Sequence, residues 1–471
     1  MNMKARDFEK AGIPPGPLMK LASSLVGPAT RAGLHKRQIV ERLREVAASP
    51  EDHADDPLLG ELAKALAGNA AASAVSRAEE AERTEPAPWK MWGATPDRAA
   101  VDQMRNACQL PVAIQGALMP DAHPGYGLPI GGVLAVENAV IPYGVGVDIA
   151  CRMMLSVTDM PLDSLVRGRD FLARTLEKET LFGAVGGFAE PEDHPVMHRD
   201  WDFCTPLKQV KGKARNQLGT SGSGNHFVEY GVLSLAEAAM GLAPGEYLAV
   251  LSHSGSRGAG AAVGNYYWKM AMGLHKGLPQ RLQHLGWLGL DTDPGREYWE
   301  AMLLMGEYAA ANHEIIHRKI LRALKAKALL QVENHHNFAW KETYGGRDMV
   351  VHRKGAIPAG KGVVGIIPGS MASPGFLVMG KGEPASLNSA SHGAGRLMSR
   401  NAAKNSFAWS NVRKELEAAG VTLLSSGIDE VPGAYKDIRE VMRQQEDLVE
   451  VIGRFDPKIV KMAPSGERPE D

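Results

Sequence analysis

Histidines recur beside glycine and asparagine in this chain, in short segments typical of loops. Four such segments, GSGNHF, SHSGSRGAG, NHHN and SHGAGR, hold His226, His253, His336 and His392. Glycine permits positive φ and close approach of the backbone to a ligand, and imidazole nitrogen is a common metal ligand. A lone histidine is more often structural, but repeated pairing of the two residue types in loops is more typical of a binding site than of a core.

A fifth segment, Asp148-Ile-Ala-Cys151, places a carboxylate and a thiolate three residues apart. Alone, it fits equally well a solvated aspartate beside a buried cysteine, because cysteine is often buried without any function. Together with three of the histidines it forms a mixed oxygen, sulfur and nitrogen donor set suited to a divalent transition metal. We therefore predict a metal site formed by Asp148, Cys151, His226, His253 and His336. The residue count alone also permits zinc.

A basic stretch, KQVKGKAR, lies just before GSGNHF. Its Lys213 and Arg215, with Arg257 and Arg396, could form a face that binds RNA phosphates. Charge runs are more often only solvated surface, and that alternative stays open. The glycine-rich turn after the strand-like YLAVLSH could direct backbone N–H groups at an anion. It is not a Walker A loop, because no GK[ST] follows at the required spacing.

Composition limits the classes of function. The 471 residues carry a formal net charge of -1, so an RNA partner would need a local basic patch rather than a global field. Three cysteines, Cys108, Cys151 and Cys204, are too few for a disulfide framework and suit a reducing compartment. The N-terminus lacks the apolar segment of a secretory signal, and no apolar run reaches the ~20 residues that span a bilayer. We expect a cytoplasmic protein without membrane contact.

The chain divides into two regions that differ in sequence pattern. In residues 1–85, apolar residues at helical spacing predict helices. These are followed by an alanine-rich, charged segment that would be a helical or flexible linker. From residue 86, strand-like runs such as PVAIQGALM, GGVLAVEN, EYLAVLSH and GVVGIIPG alternate with glycine-rich loops, and helical patterns lie at about 296–328, 393–419 and 434–453. Strands and helices do not alternate regularly, which favours an α+β fold of mixed sheets with flanking helices over a doubly wound sheet.

The ordered set of motifs resembles the RtcB family of RNA-splicing ligases. The resemblance is carried by MPDAHPGYGLPIGG, GVDIAC, QLGTSGSGNHFVE, HSGSRG, NHHN, IPGSM, SHGAGR, DEVPGAYKD and the terminal KIVKMA, over about residues 88–465. It implies an RtcB-like catalytic domain over residues 86–471, with a helical N-terminal extension and linker over residues 1–85 outside the resemblance. It also implies two Mn²⁺ ions and GTP as cofactors.

The resemblance implies roles for single residues. The five predicted metal ligands match the family's manganese ligands, with Cys151 bridging two ions; His392 matches the histidine that becomes guanylylated, and Asp121 the carboxylate that orients it. Tyr435 resembles the residue that stacks on guanine, and Lys461 the C-terminal lysine that contacts it. The full set that matches nucleotide-binding positions is Asn225, His226, Phe227, Val228, Glu229, His336, Asn337, Pro368, Gly369, Ser370, Met371, His392, Gly393, Ala394, Gly395, Tyr435 and Lys461.

The implied activity is the joining of RNA 3′-phosphate or 2′,3′-cyclic-phosphate ends to 5′-hydroxyl ends through a guanylyl-histidine, in RNA repair or tRNA splicing. We expect a monomer, and the resemblance allows an archease-like activator as a partner. Two other classes of protein stay open. One is a metal-dependent phosphatase or cyclic phosphodiesterase that uses the same ligands without a covalent nucleotide, and the other is a non-catalytic RNA-binding protein.

Two positions depart from the family pattern. Arg152 follows the metal cysteine where family members usually have glycine, and Gly375 stands where many have a nucleotide-contacting serine. The arginine could alter RNA access or add a phosphate contact, and the glycine removes the side chain of one expected contact. Neither change removes a metal ligand or the nucleophile, so we expect an active ligase.

Overall fold

The computed structural model describes residues 3–13, 17–68, 81–94, 97–184 and 186–466. Contacts within the chain divide it into two compact units, Met1–Ala81 and Glu82–Asp471. The alanine-rich segment, for which we predict a helical or flexible linker, falls largely on residues 69–80, outside the described residues. Among the residues that are described, no helix is both long enough and apolar enough to cross a membrane.

The N-terminal unit is built from helices, namely α1 Ala5–Lys10, α2 Pro17–Arg31, α3 Lys36–Ala48 and α4 over residues 60–68. In α3, Ile39, Leu43 and Val46 recur at helical spacing and are buried. This is the pattern of an amphipathic helix that packs one face on a core. Phe8 and Leu62 belong to the same core, which is therefore formed by residues from the first and last of these helices as well.

Helices flank the sheets of the second unit. They are α5 Arg98–Cys108, α6 Pro142–Val145, α7 Ser164–Arg167, α8 Arg169–Glu179, α9 Thr205–Gln217, α10 Arg257–Leu274, α11 Asp293–Leu324, α12 Arg400–Ser406, α13 Trp409–Ala418 and α14 Ile438–Arg443. The helical pattern at 296–328 corresponds to α11. The prediction over 393–419 is wrong at its start, because residues 393–399 lie outside any helix and Gly395 adopts a φ of 73°. The prediction over 434–453 is wrong outside the short helix Ile438–Arg443: residues 435–437 and 444–448 lie outside any helix, and from Val449 onward β-branched residues form a strand.

Within the described residues, the strands form two larger sheets and two short pairs. They are β1 Trp89–Met91, β2 Ala113–His123, β3 Ile130–Val136, β4 Ala139–Val140, β5 Arg152–Thr158, β6 Phe227–Leu235, β7 Gly245–Ser254, β8 Leu288–Gly289, β9 Ala328–His335, β10 Phe338–Tyr344, β11 Arg347–Lys354, β12 Ala356–Pro358, β13 Val364–Ile367, β14 Gly375–Gly380, β15 Ser389–Ser391, β16 Thr422–Ser425 and β17 Val449–Met462. One sheet has the order β1-β2-β3-β11-β10, and the other has the order β13-β14-β17-β6-β7-β5-β9 with β16 beside β17. Strands β4 and β8 pair with each other, as do β12 and β15.

Most neighbouring strands run antiparallel, and the parallel pairs are β1 with β2 and β16 with β17. The sheets are therefore mixed, and helices flank them rather than alternating with every strand. This confirms the prediction of an α+β fold of mixed sheets.

Four neighbouring strands of the larger sheet, β6, β7, β5 and β9, carry the predicted metal ligands to one edge. Cys151 immediately precedes β5 and His226 immediately precedes β6, whereas His253 lies near the end of β7 and His336 follows β9. Strand β5 runs antiparallel to β7 and β9, and β6 runs antiparallel to β7. The starts of β5 and β6 therefore lie beside the ends of β7 and β9, so that ligands distant in sequence converge.

Helix α11 packs over this part of the sheet. Every residue of β5 is buried, and α11 packs against both β5 and β7. Ile316 and Ile320 of α11 form one core cluster with Leu248 and Val250 of β7. Burial of each such aliphatic side chain is worth about 1.5–3 kcal/mol. The ligands therefore extend from the end of a well-packed layer.

Candidate metal and nucleotide site

The five predicted metal ligands lie in one buried cluster. Sγ of Cys151 is 3.4 Å from Nε2 of His226 and 3.1 Å from Nε2 of His253. Nε2 of His226 is also 3.2 Å from Oδ2 of Asp148, and Nε2 of His253 is 3.2 Å from Nε2 of His336. The donor atoms form two groups that share the thiol: one with the carboxylate and His226, the other with His253 and His336.

The donor set fits a metal better than a hydrogen-bond network. Nδ1 of His253 is 3.2 Å from the carbonyl oxygen of Asn225, and only a protonated Nδ1 can donate to it, so Nε2 keeps its lone pair. That lone pair faces Nε2 of His336. Burial lowers the pKa of His253 to about 3 and that of His336 well below its ordinary value, so both rings are neutral. A divalent cation would accept the lone pair on Nε2 of His253, and the neighbouring thiol and Nε2 of His336 lie close enough to join it as ligands.

Glycines lie against the ligands because no side chain would fit there. A Cβ added at Gly255 would lie 2.1 Å from Oδ1 of Asp148, and one at Gly222 would lie 1.9 Å from Nδ1 of His226. The backbone N–H of Ser256 donates to Oδ1 of the same aspartate at 3.1 Å. The pairing of glycine with histidine in the sequence therefore has a steric cause, since two loops pack directly onto ligand atoms.

His392 is held by Asp121 in a fixed orientation. Nδ1 of His392 lies 2.7 Å from Oδ2 of Asp121, and the backbone N–H of His392 donates to the same oxygen at 3.2 Å. Burial raises the pKa of Asp121, but the hydrogen bond with His392 and the favourable electrostatic interactions with His392 and Lys436 outweigh burial and lower this pKa below its ordinary value. The ionised carboxylate keeps the proton on Nδ1, so Nε2 presents a lone pair. The ring centroids of His392 and His336 are 4.8 Å apart, so the ring of His392 lies beside the cluster of predicted metal ligands.

Most of the predicted nucleotide contacts line one cavity of about 570 Å³, a size typical of small-molecule sites. Among the described residues, the predicted positions that line it are Asp148, Cys151, Asn225, Phe227, Glu229, His253, His336, Asn337, Pro368, Gly369, Ser370, Met371, His392, Gly393, Ala394, Gly395, Arg396 and Tyr435. Gly375 lines it as well, and so does Ser373, whose hydroxyl lies 2.9 Å from that of Ser370. The cavity therefore retains serine hydroxyls near the position at which this chain has glycine.

Other predicted contacts lie elsewhere. The side chain of Val228 is buried in the core between β6, β7 and α11, and His226 and Asp121 lie buried behind the cavity lining. Nζ of Lys461 donates to three carbonyl groups at the end of α8, at distances of 2.9–3.2 Å. Side chains alternate along a strand. Because Val460 and Met462 of β17 line the cavity, Lys461 points to the opposite face.

The four basic residues predicted to bind RNA phosphates do not form one exposed face. Lys213 and Arg215 are exposed on α9, whereas Arg257 is almost completely buried. Nε of Arg257 donates to the hydroxyl of Thr220 at 3.1 Å. The guanidinium of Arg257 therefore stabilises the loop that precedes His226. Of the four, Arg396 lines the cavity. The sequence shows where the charged residues lie along the chain, but it does not show the direction in which each side chain points.

Arg152, the departure next to the metal cysteine, has a role inside the fold. Its guanidinium is buried and donates to Glu333 of β9 at 3.1 Å and to the carbonyl of Gly306 in α11 at 3.0 Å. The side chain ties the start of β5 to the neighbouring strand and to the covering helix. It is not among the residues that line the cavity, so it adds no phosphate contact there.

A set of polar residues that the sequence analysis did not single out supports the ligands from α11. His313 and His317 lie 2.7 Å and 2.8 Å from the hydroxyl of Ser252, which is next to His253. Burial lowers the pKa of His317 to about 3 and that of His313 well below its ordinary value. Their spacing of four residues places both rings on one helix face. Such spacing is equally typical of ordinary buried helices and gives no separate signal.

Asn312 connects two loops that carry predicted metal ligands. Its side-chain oxygen accepts a hydrogen bond from the backbone N–H of Gly219 at 2.9 Å, and its amide donates to the carbonyl of Gly255 at 3.0 Å. The first loop leads to His226 and the second follows His253. A single fully buried amide therefore fixes the distance between two loops that lie far apart in sequence.

The predicted residues of this site all lie within the part of the chain that matches a known protein family. A family model described as tRNA-splicing ligase RtcB matches residues 103–202 and 187–462. The chain belongs to the RtcB family. The match to the RtcB model contains Asp121, the five predicted metal ligands and His392, and the N-terminal unit lies outside it.

Relatives from bacteria and archaea cover most of this RtcB chain. An RNA-splicing ligase RtcB of Escherichia coli strain K12 is 32% identical over 403 residues, which covers 78% of this chain and 96% of the relative. A tRNA-splicing ligase RtcB of Nanoarchaeum equitans is 31% identical and covers 77% and 91% of the two chains. One from Aeropyrum pernix is 30% identical and covers 79% and 91%. The similarity to RtcB proteins therefore extends across nearly their whole lengths.

Proposed function

We propose that this RtcB chain is a GTP- and Mn²⁺-dependent RNA ligase. It would join RNA 3′-phosphate or 2′,3′-cyclic-phosphate ends to 5′-hydroxyl ends through a guanylyl group carried on His392. The observation that carries the proposal is the contact of 2.7 Å between Nδ1 of His392 and Asp121, next to a buried metal-binding donor set. The names of the relatives, which are RNA-splicing and tRNA-splicing ligases, support the class of reaction.

The orientation of His392 supports its role as the nucleophile. With the proton on Nδ1, the Nε2 lone pair attacks the α-phosphorus of GTP; a P–N bond forms, the bond to the bridging oxygen breaks, and pyrophosphate leaves. An oxygen of the RNA 3′-phosphate then displaces His392 from the guanylyl group. Finally the 5′-hydroxyl of the second RNA attacks the activated 3′-phosphorus, GMP leaves, and a 3′,5′-phosphodiester results. A 2′,3′-cyclic phosphate is first hydrolysed to the 3′-phosphate.

The cluster around Cys151 would hold Mn²⁺ in this reaction. Two donor groups that share one thiolate suit a pair of ions, held by Asp148 and His226 on one side and by His253 and His336 on the other. When bound, the ions would neutralise phosphate charge and help to align the attacking and leaving oxygens. Burial keeps the rings of His253 and His336 neutral, so these two rings need not release a proton before they bind metal.

Glu229 supports a guanine nucleotide as the occupant of the cavity. Its carboxyl group is buried, lines the cavity and receives no hydrogen bond from the described residues, and burial raises its pKa well above the ordinary value. A buried carboxyl group without a partner is costly. The adjacent N–H groups on the edge of guanine would provide two donors for it. Phe227 and Tyr435 line the same cavity and supply ring surface for the base.

Covalent labelling tests the proposal. The full chain is incubated with Mn²⁺ and α-labelled GTP, denatured and washed. We expect retained label that is lost in acid and stable in alkali, as befits a P–N bond, and no label on His392→Ala. The exposed His198, whose ring contacts Asp193 at the surface, provides the control His198→Ala, which should label like the wild type.

Defined RNA ends then separate the alternatives. A ligase joins 3′-phosphate and cyclic-phosphate RNAs to 5′-hydroxyl RNA and leaves 3′-hydroxyl RNA unjoined. A wild-type protein that retains no label but removes the terminal phosphate or opens the cyclic phosphate is a metal-dependent hydrolase instead. Binding of RNA without either reaction would indicate a non-catalytic protein. Repeating the assay with an archease-like protein, and measuring the mass in solution, tests the expected activator and the monomeric state.

A further inference from the structure

Four aromatic rings form a ledge at the mouth of the cavity. The ring of Tyr143 stacks on that of Trp268, with centroids 4.3 Å apart and planes at 14°. His284 lies against both rings, 5.5 Å from Trp268 with planes at 16° and 6.0 Å from Tyr143 with planes at 28°. Tyr126 lies 6.4 Å from Tyr143. We call these four residues the aromatic ledge; its members Tyr126 and Tyr143 also line the cavity that contains His392.

Tyr126 is the open member of the aromatic ledge. It is 74% exposed, although burial of a ring of this size would stabilise the fold appreciably. The loop that carries it is packed rather than loose: Gly127 has a φ of 72°, and a Cβ added there would lie 3.1 Å from the side chain of Leu285. An exposed ring held in place at a cavity mouth is the arrangement by which proteins stack unpaired nucleobases.

The aromatic ledge is fixed to the wall that touches His392. Nζ of Lys354, at the end of β11, donates to the backbone carbonyls of Tyr126 at 2.6 Å and Tyr143 at 3.2 Å. The next residue, Gly355, is so close to the nucleophile that an added Cβ would lie 3.2 Å from Cε1 of His392. One short segment therefore sets both the position of the ledge and the wall beside the reacting nitrogen.

We propose that Tyr126, supported by Tyr143, stacks on the unpaired base at an RNA end while that end lies in the cavity. This subsite rests on the proposed ligase function. A small cofactor is largely enclosed by its site, and Glu229, the group suited to guanine, is 5% exposed. RNA must extend from the cavity into solvent, so the exposed ring belongs to its path. Stacking does not read base edges, so the subsite accepts any base.

Steady-state ligation by the full-length protein tests the subsite. Tyr126→Ala should raise the KM for RNA roughly 5- to 150-fold, the range for loss of one stacked base, with a much smaller change in kcat. Tyr126→Phe should behave like the wild type because it keeps the ring. Tyr266→Ala is the matched control, since this tyrosine is also exposed, at 37%, but does not line the cavity.

RNAs with an abasic terminal nucleotide identify the ligand. One substrate is abasic at the 3′-phosphate end and a second at the 5′-hydroxyl end. For the end that stacks, the wild type should lose the same factor as Tyr126→Ala, and the variant should lose nothing further on that substrate. If both abasic ends are joined as well as normal RNA, or if the variant raises the GTP concentration needed to label His392 without RNA, the subsite is overturned. Labelling without RNA also tests the ligase proposal separately, so the two failures are distinguishable.

Discussion

Gly395 lies directly against the backbone of Asp121, so that a Cβ added at Gly395 would fall 2.0 Å from the carbonyl oxygen of Asp121. Gly395 also has a φ of 73°, which side chains disfavour. We expect Gly395→Ala to push apart the loop that carries His392 and the strand that carries Asp121. Covalent labelling by GTP should fall at least about 100-fold, because small misplacements of reacting groups have effects of this order.

Gly362→Ala is the matched control for this prediction. Gly362 has a φ of 78°, but no atom lies within 4 Å of an added Cβ. Both variants place a Cβ at a positive φ, which costs about 1–2 kcal/mol, and only one meets a backbone atom. Equal labelling by the two variants would show that the contact between Gly395 and Asp121 does not position the nucleophile.

Replacement of Asp121 by asparagine should slow guanylylation while GTP binding is retained. The amide can turn its NH₂ group toward Nδ1 of His392, which moves the ring proton to Nε2 and removes the attacking lone pair. In a serine protease, the corresponding change lowers kcat by about 10⁴, and we expect a loss of roughly 10²–10⁴ in the rate of labelling. Equilibrium GTP binding provides the comparison; a parallel loss of binding would mean that the carboxylate serves the nucleotide instead.

The shared thiol predicts an asymmetric pattern of metal loss. Asp148 belongs to one donor group and His336 to the other, whereas Cys151 belongs to both. We expect two Mn²⁺ per wild-type chain by elemental analysis after dialysis, one for Asp148→Ala, one for His336→Ala and none for Cys151→Ala. Cys204→Ala, a buried cysteine outside the cluster, should keep both. Retention of two ions by Cys151→Ala would exclude a bridging thiolate.

The composition of the cluster could be predicted from sequence because its signal is local. Glycines flank the clustered histidines because loops such as that of Gly222 pack onto the rings themselves. The support from Asn312 could not be predicted, because its partners lie 93 and 57 residues away. The side-chain direction of Lys461 follows from the register of β17 with β6, and the motif KIVKMA does not encode that pairing.

The surroundings of the basic residues could not be predicted from the sequence either. Arg257 and Arg396 sit in similar glycine-rich motifs, yet one is buried behind the cluster and the other lines the cavity. The difference arises from what packs on each loop, since Thr220 lies over the first and Glu430 pairs with the second at 3.1 Å. Charge and glycine content alone do not distinguish these surroundings.

His352 should make stability depend on pH in weak acid. Nε2 of its ring accepts the backbone N–H of Ile141 at 2.9 Å, and Nδ1 donates to the carbonyl of Leu134. Burial lowers its pKa to about 4, whereas the unfolded chain titrates near 6.5. Between these values the unfolded state binds the extra proton, so the free energy of unfolding falls by up to about 1.4 kcal/mol per pH unit as pH decreases.

Thermal unfolding of His352→Gln against the wild type checks this contribution. The variant lacks the titrating ring, so its melting temperature should fall less steeply between pH 6.5 and about pH 4. Above pH 7 the two profiles should run parallel, since both states of His352 are then neutral. Parallel profiles in acid as well would show that the folded ring accepts a proton as readily as the unfolded one.

Removal of residues 1–81 should leave guanylylation and end joining within a few-fold of the full chain. The second unit begins with its own anchors: the backbone N–H of Arg83 donates to the carbonyl of Gln109 at 2.9 Å, its side chain donates to that of Ala113 at 3.2 Å, and Glu82 pairs with Arg281. A cut after residue 85 would remove these contacts and should lower the melting temperature. If removal of residues 1–81 abolishes covalent labelling, guanylylation depends on the N-terminal unit. If this removal slows only the joining of long RNAs, the N-terminal unit contributes to RNA binding.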